Sequence, residues 1–327
     1  MRVVARLCWR IVTLPVLVLA TAWAMLALWY SVTPSPPVRE ILAVGLAGLG
    51  AAATWSLFRR RYAVVAVHMA CILAVVALFA ARRPTNTRDW APDVARIATG
   101  TLSGDVLTIH NVRDFRWRSD GDFDARWEDR SYDLNRLSGV DLVMSYWSGE
   151  AIAHTILSFD FADDRHLAMS IEIRREKAET YSPIAGFFRN YELSFIAADE
   201  RDVIGVRSNV RGEDVRLYHL RMPPEKARAL LLAYVAEMNS LADEPQWYNS
   251  LTTNCTTQIV GMVRALGGTM PFDYRLILVG YLPDYIYERG GMAGTESFDA
   301  MKARSHIKGR AASDDPGFSA KIREGTG

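Results

Sequence analysis

The sequence AIAHTILSFDFADDRHLAMSIEIRR, residues 151–175, predicts a β-hairpin. Two runs rich in β-branched and aromatic residues flank the short polar stretch ADDR, a pattern typical of two antiparallel strands joined by a turn. If the turn lies at residues 160–165, residues whose numbers sum to about 326 pair across the hairpin, so that His154 faces Glu172 or its neighbour Ser170. The hairpin therefore predicts that a histidine and a carboxylate lie close together.

Neighbouring segments extend this hairpin into a sheet. Strand-like runs at residues 140–147, 191–198 and 214–221 predict an antiparallel meander with a further short strand. Residues 223–243 have helical periodicity with prolines at their start, which predicts a helix packed on the sheet. Strands followed by packed helices place this part of the chain in the α+β class.

Three apolar runs precede the sheet, and none contains Asp, Glu, Lys or Arg: residues 11–30, 41–58 and 62–81. Each run has about 18–20 residues, enough at about 1.5 Å per residue to cross roughly 30 Å of hydrocarbon. Two further runs follow the first, and no small-residue cleavage site precedes Ser31, so we expect an anchor of three transmembrane helices rather than a cleaved signal peptide.

Arginines near the runs predict the orientation of the chain. Arg2, Arg6 and Arg10 precede the first run, and three arginines at residues 59–61 join the second and third. Positively charged segments stay in the cytoplasm, and three crossings then place everything after about Arg83 outside. We therefore expect a multi-pass protein of the bacterial inner (cell) membrane with a cytoplasmic N-terminus and a periplasmic C-terminal domain.

These features divide the chain into four parts. We expect a membrane anchor at residues 1–83, a linker at 84–110, a periplasmic thiol domain at 111–290 and an irregular C-terminal arm at 291–327. The arm is rich in Gly, Ser and charged residues, a composition typical of irregular or partly disordered segments.

Cys255 is the only thiol of the predicted periplasmic domain, because Cys8 and Cys71 belong to the membrane anchor. A single cysteine in an oxidising compartment cannot form an internal disulfide, so it is buried and inert, paired with another chain, or reactive. In WYNSLTTNCTTQIVGMVRALGG, residues 247–268, Asn254 or the preceding threonine can cap a helix that ends at the glycine pair. A thiol in the first helical turn meets unpaired N–H groups and the helix dipole, which favour the reactive thiolate.

Nucleophilic use of this thiol needs a base, and His154 is the one histidine after residue 83 in the middle of an apolar strand. Glu172 beside its ring would fix the tautomer and stabilise the imidazolium. Ordinary structural interpretations exist: Cys255 as a small buried hydrophobe, His154 as a satisfied core group. Glu172 could equally pair with Arg174 or Arg207. The combination of features favours a Cys–His–Glu site.

Ser170, Arg207 and Asn254 are further candidates, for contact with the substrate or its oxyanion. The backbone N–H of Cys255 is another candidate for the oxyanion. For Asn254 a helix cap is the preferred interpretation, and for Arg207 a structural ion pair is an equal alternative.

Several stretches carry a family resemblance: DFRWRSDGDFDARWEDRSYDL at 114–134, AHTILSFDF at 153–161, SIEIRREKAETYSP at 170–183, YEL at 191–193, ERDVIGVR at 200–207, WYNSLTTNCT at 247–256 and FSAKIR at 318–323. They resemble the Lnb N-terminal periplasmic domain, a family named after the bacterial lipoprotein intramolecular transacylase. The resemblance implies a permuted papain/NlpC-like fold, with an antiparallel sheet and a packed Cys-bearing helix, in which the His strand precedes the Cys helix. His154 before Cys255 fits that order.

The resemblance implies that Cys255 is the nucleophile, His154 its base and Glu172 the orienting group. The implied reaction moves an acyl chain from a lipoprotein's glyceride, through a thioester on the enzyme, to the N-terminal amine of the lipoprotein. Our first hypothesis is thus a membrane-anchored cysteine acyltransferase or thioesterase-like enzyme, with the lipid bilayer and a lipoprotein or other lipid-linked substrate as partners.

Two alternatives remain: a cysteine amidase or peptidase acting on cell-wall peptides, and a non-catalytic binding module. An apolar groove beside Cys255 favours the acyltransferase, polar subsites favour the peptidase, and a Cys255 buried away from His154 favours the binding module.

Composition argues against other partners. The whole chain has a net charge of +1. Its first 83 residues contain nine arginines and one acid, so the remaining residues are mildly acidic. It lacks the massed basic residues that nucleic-acid binding needs. The isolated His and Cys residues show no CxxC or HExxH spacing, so we expect neither a metal nor another cofactor. Aromatic residues at 115–127 and the pair Phe187 and Phe188 are candidates for bilayer contact, with core packing as the favoured alternative.

Overall fold

The computed structural model describes residues 2–32 and 35–326, with side chains from residue 11 onwards. The arginines at positions 2, 6 and 10, which predicted the orientation, have their side chains outside the described part. The chain divides into two units. The first comprises Met1–Thr85 and Tyr181–Tyr191, and the second Asn86–Thr180 and Glu192–Gly327.

Three long helices make up most of the first unit: α1 (Arg2–Ala27), α2 (Pro36–Arg59) and α3 (Tyr62–Ala81). A π-helical turn, Leu28–Val32, continues α1. All three helices are long and apolar enough to cross a membrane, as the three apolar runs predicted.

The three helices approach one another closely at Gly50. A Cβ atom at this position would lie 2.9 Å from Cγ2 of Thr21, so only glycine permits this approach of α1 and α2. Oγ1 of Thr21 is hydrogen-bonded to Nε2 of the buried His68 at 2.8 Å, which joins α1 to α3. One polar group of each helix is thus satisfied inside an apolar environment.

Ten strands lie in the second unit: β1 (Thr99–Ser103), β2 (Val106–Arg113), β3 (Arg116–Ser119), β4 (Asp122–Asp124), β5 (Trp127–Asp133), β6 (Leu137–Tyr146), β7 (Ala153–Phe161), β8 (His166–Arg174), β9 (Glu192–Ala198) and β10 (Asp214–His219). Eight of them form one sheet in the order β1-β2-β9-β8-β7-β6-β10, with β5 paired to β2, and β3 and β4 form a separate pair.

Strands β6 to β9 form the predicted antiparallel meander. The register of β7 and β8 pairs Ile156 with Ser170, which confirms the predicted alignment of the hairpin. The sheet is mixed rather than purely antiparallel, because β2 runs parallel to β9 where Arg113 pairs with Ala198. The segment expected to be a linker contains β1 and most of β2, in which Leu107 and Ile109 are fully buried.

Six helices complete the second unit: α4 (Glu200–Val203), α5 (Pro224–Asp243), α6 (Cys255–Ala265), α7 (Leu282–Glu288), α8 (Phe298–Arg304) and α9 (Phe318–Arg323). Helix α5 covers one face of the sheet, where Tyr234 packs edge-on against Phe159 and Phe195 with ring centroids 6.1 and 6.0 Å apart. Helices α4 and α9 belong to a second apolar cluster that contains Ile156 and Ile196 of the sheet.

The C-terminal segment is not the irregular arm that its composition predicted. Phe318 and Ile322 of α9 are fully buried. Arg323 donates hydrogen bonds to Asp141 at 2.8 Å, to Asp160 at 2.7 Å and to Glu200 at 2.6 Å. The prediction was wrong because it took the charged residues of this segment to be solvated. One of them, Arg323, is instead the shared hydrogen-bond partner of three carboxylates.

Candidate active site

Cys255 and His154 lie close enough for each side chain to shift the pKa of the other. Cys255 is the first residue of α6, and His154 is the second residue of β7. The backbone N–H of Thr155 and the hydroxyl of Thr256, whose Oγ1 lies 3.9 Å from Sγ, also lie beside the thiol and lower its pKa. Cys255 is 8% exposed, and the side chain of His154 is 14% exposed, so both groups are shielded from bulk water.

Ser170 and Glu172 lie on the far side of the imidazole. Nε2 of His154 lies 2.7 Å from Oγ of Ser170 and 3.2 Å from Oε1 of Glu172. The Ser170 hydroxyl donates to the same carboxylate oxygen at 2.6 Å. Because Nε2 is occupied by these two groups, Nδ1 is the ring nitrogen that remains for the thiol. This arrangement orients the imidazole toward Cys255.

Arg207 holds the carboxylate from a third direction. Its Nη2 donates to Oε1 of Glu172 at 2.8 Å, and its Nη1 donates to the carbonyl of Val203 at 3.3 Å. Arg207 is buried in the π-helical turn Val206–Val210. Arg174 and Arg207 were the two arginines expected as possible partners of Glu172. Arg207 is the one that binds it, whereas Arg174 binds the backbone carbonyls of Val94 and Ala95.

The pKa values of the three ionisable groups shift in directions that favour a charged site. Burial lowers the pKa of His154, but the Glu172 carboxylate and the hydrogen bond with Cys255 raise it to about 9, against the opposing charge of Arg207. Burial raises the pKa of the Cys255 thiol, but the hydrogen bond and charge of His154 hold it below its ordinary value. The charges of His154 and Arg207 likewise outweigh burial and keep the pKa of Glu172 well below its ordinary range. These shifts favour a thiolate beside an imidazolium.

Asn254 caps helix α6, as its preferred interpretation predicted. Its Oδ1 accepts from the backbone N–H of Thr257 at 3.0 Å, and its Nδ2 donates to the carbonyl of Ser250 at 2.8 Å. The backbone N–H of Asn254 in turn donates to Oγ1 of Thr257 at 2.8 Å. This capping box fixes the first helical turn, in which the N–H of Cys255 has no intrahelical acceptor.

Two groups beside the thiol could not be predicted from the sequence. The N–H of Thr155 is a backbone donor, for which the residue type gives no signal. Tyr234 of α5 is fully buried, and its hydroxyl has no hydrogen-bond partner within residues 2–32 and 35–326. Burial and the charge of Cys255 raise the pKa of Tyr234. Helical periodicity predicted that α5 packs on the sheet, but it gave no sign that this tyrosine lies near Cys255.

The segment between α6 and α7 is fastened to the loop that precedes β7. The N–H of Gly280 donates to the carbonyl of Ala151 at 3.0 Å, and the hydroxyl of Tyr146 donates to the carbonyl of Gly280 at 2.8 Å. A Cβ atom at position 280 would lie 1.9 Å from the carbonyl oxygen of Glu150, so glycine is required there.

Exposed apolar side chains lie close in sequence to the residues of the site. Ile152 precedes His154 by two residues, Leu251 precedes Cys255 by four, and Ile277 and Leu278 directly precede the turn that contains Gly280. These four residues, which we call the apolar rim, are between 42% and 57% exposed. Large apolar side chains that remain exposed at neighbouring loops are typical of a surface that binds an apolar partner.

A second polar cluster lies around Arg323. Ligand atoms of Asp160, His166 and Glu200 lie within 4.8 Å of one another, a spacing that could hold a metal ion. However, the guanidinium of Arg323 donates to both carboxylates at 2.7 and 2.6 Å. The protein therefore supplies its own cation at this cluster.

Comparison with known proteins agrees with the motifs. Residues 123–280 match the family model described as the Lnb N-terminal periplasmic domain. The matched range contains His154, Glu172, Arg207 and Cys255, and it confirms the resemblance that the motifs indicated. No curated protein and no solved structure matched the chain. The family and the three apolar helices together indicate a membrane protein with a periplasmic domain.

Proposed function

We propose, from the match of residues 123–280 to the Lnb N-terminal periplasmic domain, that this protein is a membrane-anchored cysteine acyltransferase or thioesterase-like enzyme. Its substrates are lipid-linked molecules such as lipoproteins. The observation that carries the proposal is the proximity of the Cys255 thiol to the His154 imidazole, whose Nε2 lies 3.2 Å from Oε1 of Glu172, together with the raised pKa of the imidazole and the lowered pKa of the thiol. Such a pair supplies a nucleophile and a proton donor at neutral pH.

The first half-reaction forms a thioester. The Cys255 thiolate attacks the carbonyl carbon of an ester, and the negative charge moves to the carbonyl oxygen. As that intermediate collapses, the ester C–O bond breaks, and the leaving alcohol oxygen takes the proton of the His154 imidazolium. The acyl group is then bound to Sγ, and His154 is neutral.

The second half-reaction returns the site to its starting state. Neutral His154 takes a proton from an incoming amine or water as that nucleophile attacks the thioester carbonyl. The C–S bond breaks, and the thiolate and imidazolium are restored. An amine yields acyl transfer and water yields hydrolysis, so the two activities differ only in this acceptor.

Neighbouring groups support both steps. Glu172, held by Arg207 and Ser170, keeps the imidazole oriented and stabilises its charged form. The N–H of Cys255 is the group we assign to the oxyanion, because it lies at a helix start and lacks an intrahelical acceptor. Asn254, Ser170 and Arg207 are engaged with protein groups, so we assign them positioning roles rather than substrate contact.

The membrane anchor fits a lipid-linked substrate. We propose that the three helices cross the bacterial inner membrane with the N-terminus in the cytoplasm, which places the thiol domain in the periplasm. Tethering to the membrane raises the effective concentration of an enzyme toward substrates anchored in the same bilayer.

The apolar rim favours acyl chains over the alternative substrates. A cysteine peptidase acting on cell-wall peptides needs polar subsites near the thiol, whereas Ile152, Leu251 and Leu278 are exposed and apolar. A non-catalytic module requires Cys255 to be buried away from His154, and the proximity of the two side chains argues against that function. The order of His154 before Cys255 also agrees with a permuted papain-like thiol fold.

Mass spectrometry tests the proposal directly. The purified protein is incubated with a diacylated lipoprotein, and the wild type is compared with Cys255→Ala, His154→Ala and the matched control Cys71→Ala. We expect an acyl adduct on Cys255 in the wild type and the control, and none in the other two variants.

The lipoprotein itself separates the two reactions. Intramolecular transfer keeps its mass and blocks its N-terminal amine, whereas hydrolysis lowers its mass by one acyl chain and leaves the amine reactive. Absence of an adduct together with an unchanged lipoprotein would overturn the assignment.

A further inference from the structure

The loop between β8 and β9 belongs to the same unit as the membrane-spanning helices. Within Tyr181–Tyr191, the ring of Phe188 stacks on Tyr30 with centroids 6.0 Å apart and lies 6.4 Å from the ring of Trp23. Phe188 is only 7% exposed. It shares one apolar cluster with residues of all three helices: Ala24, Leu46, Ile72 and Val75. The loop is therefore packed into the helix bundle rather than resting against water.

Arg189 fixes the same loop to the end of α3. Its Nη1 donates to the carbonyl of Phe79 at 3.1 Å, and its guanidinium carbon lies 4.8 Å from the centre of the Phe79 ring. Phe79 lies in the last turn of α3, where carbonyl groups lack helical donors and the helix dipole attracts a positive charge. Arg189 thus donates a hydrogen bond to a carbonyl group at the C-terminal end of a membrane-spanning helix.

These contacts define the depth of the loop. The apolar runs end at residues 30 and 81, and the residues that follow are Ser31 and Arg82. Nη1 of Arg82 donates to Oγ of Ser31 at 2.8 Å, so the C-terminal ends of the first and third spans lie at one level. Aromatic and arginine side chains at span ends mark the boundary between hydrocarbon and headgroups. Phe188 and Arg189 contact the helices at that boundary.

Two neighbouring side chains of the loop are apolar and exposed: Ile184 at 48% and Phe187 at 41%. The 3-10 turn Ala185–Phe187 joins them, and Ala185 is buried. The N–H of Ser182 donates to the hydroxyl of Tyr191 at 2.8 Å, which closes the base of the loop. The exposed side chains are therefore presented by a preorganised element, which lowers the entropic cost of binding.

We propose that Ile184 and Phe187 insert into the outer leaflet of the membrane that the three helices cross. The continuity of this loop with the membrane-spanning surface identifies the lipid bilayer as its partner. A loop fixed at the level of the headgroups, with apolar side chains beside an aromatic and an arginine, has the composition of an interfacial anchor. The connection between β8 and β9 thereby provides a second membrane contact, in addition to the three helices.

Site-specific fluorescence quenching tests this inference. In a background of Cys8→Ser, Cys71→Ser and Cys255→Ser, a single cysteine is placed by Ile184→Cys or by Phe187→Cys and labelled with a small environment-sensitive fluorophore. The matched control is Leu102→Cys in β1, because Leu102 is apolar and 49% exposed. Each protein is reconstituted into vesicles of phosphatidylethanolamine and phosphatidylglycerol.

Phospholipids with a nitroxide near the headgroup should quench the labels at 184 and 187 several-fold more than the label at 102. Iodide in the buffer should quench the label at 102 more than the labels at 184 and 187. Labels at 184 and 187 that behave like the label at 102 would overturn the proposal. The background lacks the thiol of the proposed active site, so the outcome is independent of the proposed acyl chemistry. The two label positions are also independent, which keeps the test valid if one variant fails to fold.

Discussion

Nε2 of His154 lies 3.2 Å from Oε1 of Glu172, and that same oxygen accepts a 2.8 Å hydrogen bond from Arg207. One carboxylate oxygen therefore serves two cationic partners. Arg207 opposes protonation of the imidazole, whereas Glu172 promotes it, and the pKa of His154 is raised to about 9. The charged state of the imidazole consequently depends on Glu172 remaining ionised, and the charges of His154 and Arg207 together keep the pKa of Glu172 well below its ordinary range despite its burial.

Replacing Glu172 by glutamine should move the alkaline limb of the pH–activity profile to lower pH. The pKa of His154 is raised above its ordinary value. The imidazole is therefore protonated at neutral pH and loses its proton as the pH rises through about 9. In Glu172→Gln, burial and Arg207 remain and both lower that pKa, so we expect a shift of at least about one unit. The measurement is the pH dependence of hydrolysis of a short-chain thioester. Glu225→Gln, at an exposed position of α5, is the control, and equal profiles for the two variants would contradict the role of Glu172.

Removing the imidazole should slow alkylation of Cys255 at neutral pH. Burial alone raises the pKa of this thiol, and His154 is the main group that lowers it, through its hydrogen bonding and its charge. In His154→Ala we expect the iodoacetamide reaction at pH 7 to slow by about tenfold or more, because the thiolate fraction falls. The rates are measured with Cys8 and Cys71 replaced by serine, and His110→Ala serves as the control. An unchanged rate would show that His154 does not activate the thiol.

Local sequence patterns predicted much of this site. The position of the turn at residues 160–165 placed His154 opposite Glu172 or its neighbour Ser170, and the register of Ile156 with Ser170 agrees. The Asn254 cap and the glycine pair predicted where α6 begins and ends, and the thiol lies at its first residue. Both predictions rest on contacts between residues close in the chain, for which periodicity and capping preferences are informative.

Long-range packing could not be predicted in the same way. Ile156 packs in the cluster that contains α4 and α9, whereas Ile259 of α6 packs in the cluster that contains α5, so strand alternation alone does not bring Cys255 to His154. The choice of Arg207 over Arg174 as a partner of Glu172 depends on a turn 35 positions along the chain. The C-terminal helix was missed because a buried ion network and a solvated arm have the same composition.

Removing the hydroxyl of Ser170 should weaken the orientation of the imidazole without abolishing activity. Oγ of Ser170 lies 2.7 Å from Nε2 of His154 and donates to Glu172 at 2.6 Å. In Ser170→Ala we expect kcat to fall about five- to tenfold, the effect of losing one hydrogen bond worth about 1 kcal/mol. Ser170→Thr keeps the hydroxyl and should recover part of the rate. A loss in Ser170→Ala that threonine does not relieve at all would indicate a packing role instead.

Arg323→Met should destabilise the second unit. The variant leaves Asp141, Asp160 and Glu200 without their shared cation, and the side chain of Arg323 is only 15% exposed. Breaking a buried ion pair by removing one partner costs about 3–5 kcal/mol in the free energy of unfolding. Thermal unfolding of the whole protein in detergent, followed by circular dichroism, measures the change. Lys321→Met, which removes a more exposed pair with Asp315, should shift the midpoint little. Equal shifts for the two variants would contradict the structural role of the network.

The apolar rim makes the proposed substrate class testable within a single assay. Leu278 is exposed and directly precedes the turn that binds the loop before β7, so a charge there alters the surface without emptying the core. If the rim receives acyl chains, Leu278→Asp should lower kcat/KM for a long-chain thioester by about tenfold, since burial of one apolar side chain is worth about 1.5–3 kcal/mol. A thioester with an acyl chain too short to reach the rim should be hydrolysed at the wild-type rate. Leu102→Asp, an equally exposed apolar residue of β1, should change neither substrate. Equal losses for long and short chains would locate the acyl chain elsewhere, and improved cleavage of a cell-wall peptide by the same variant would favour the amidase.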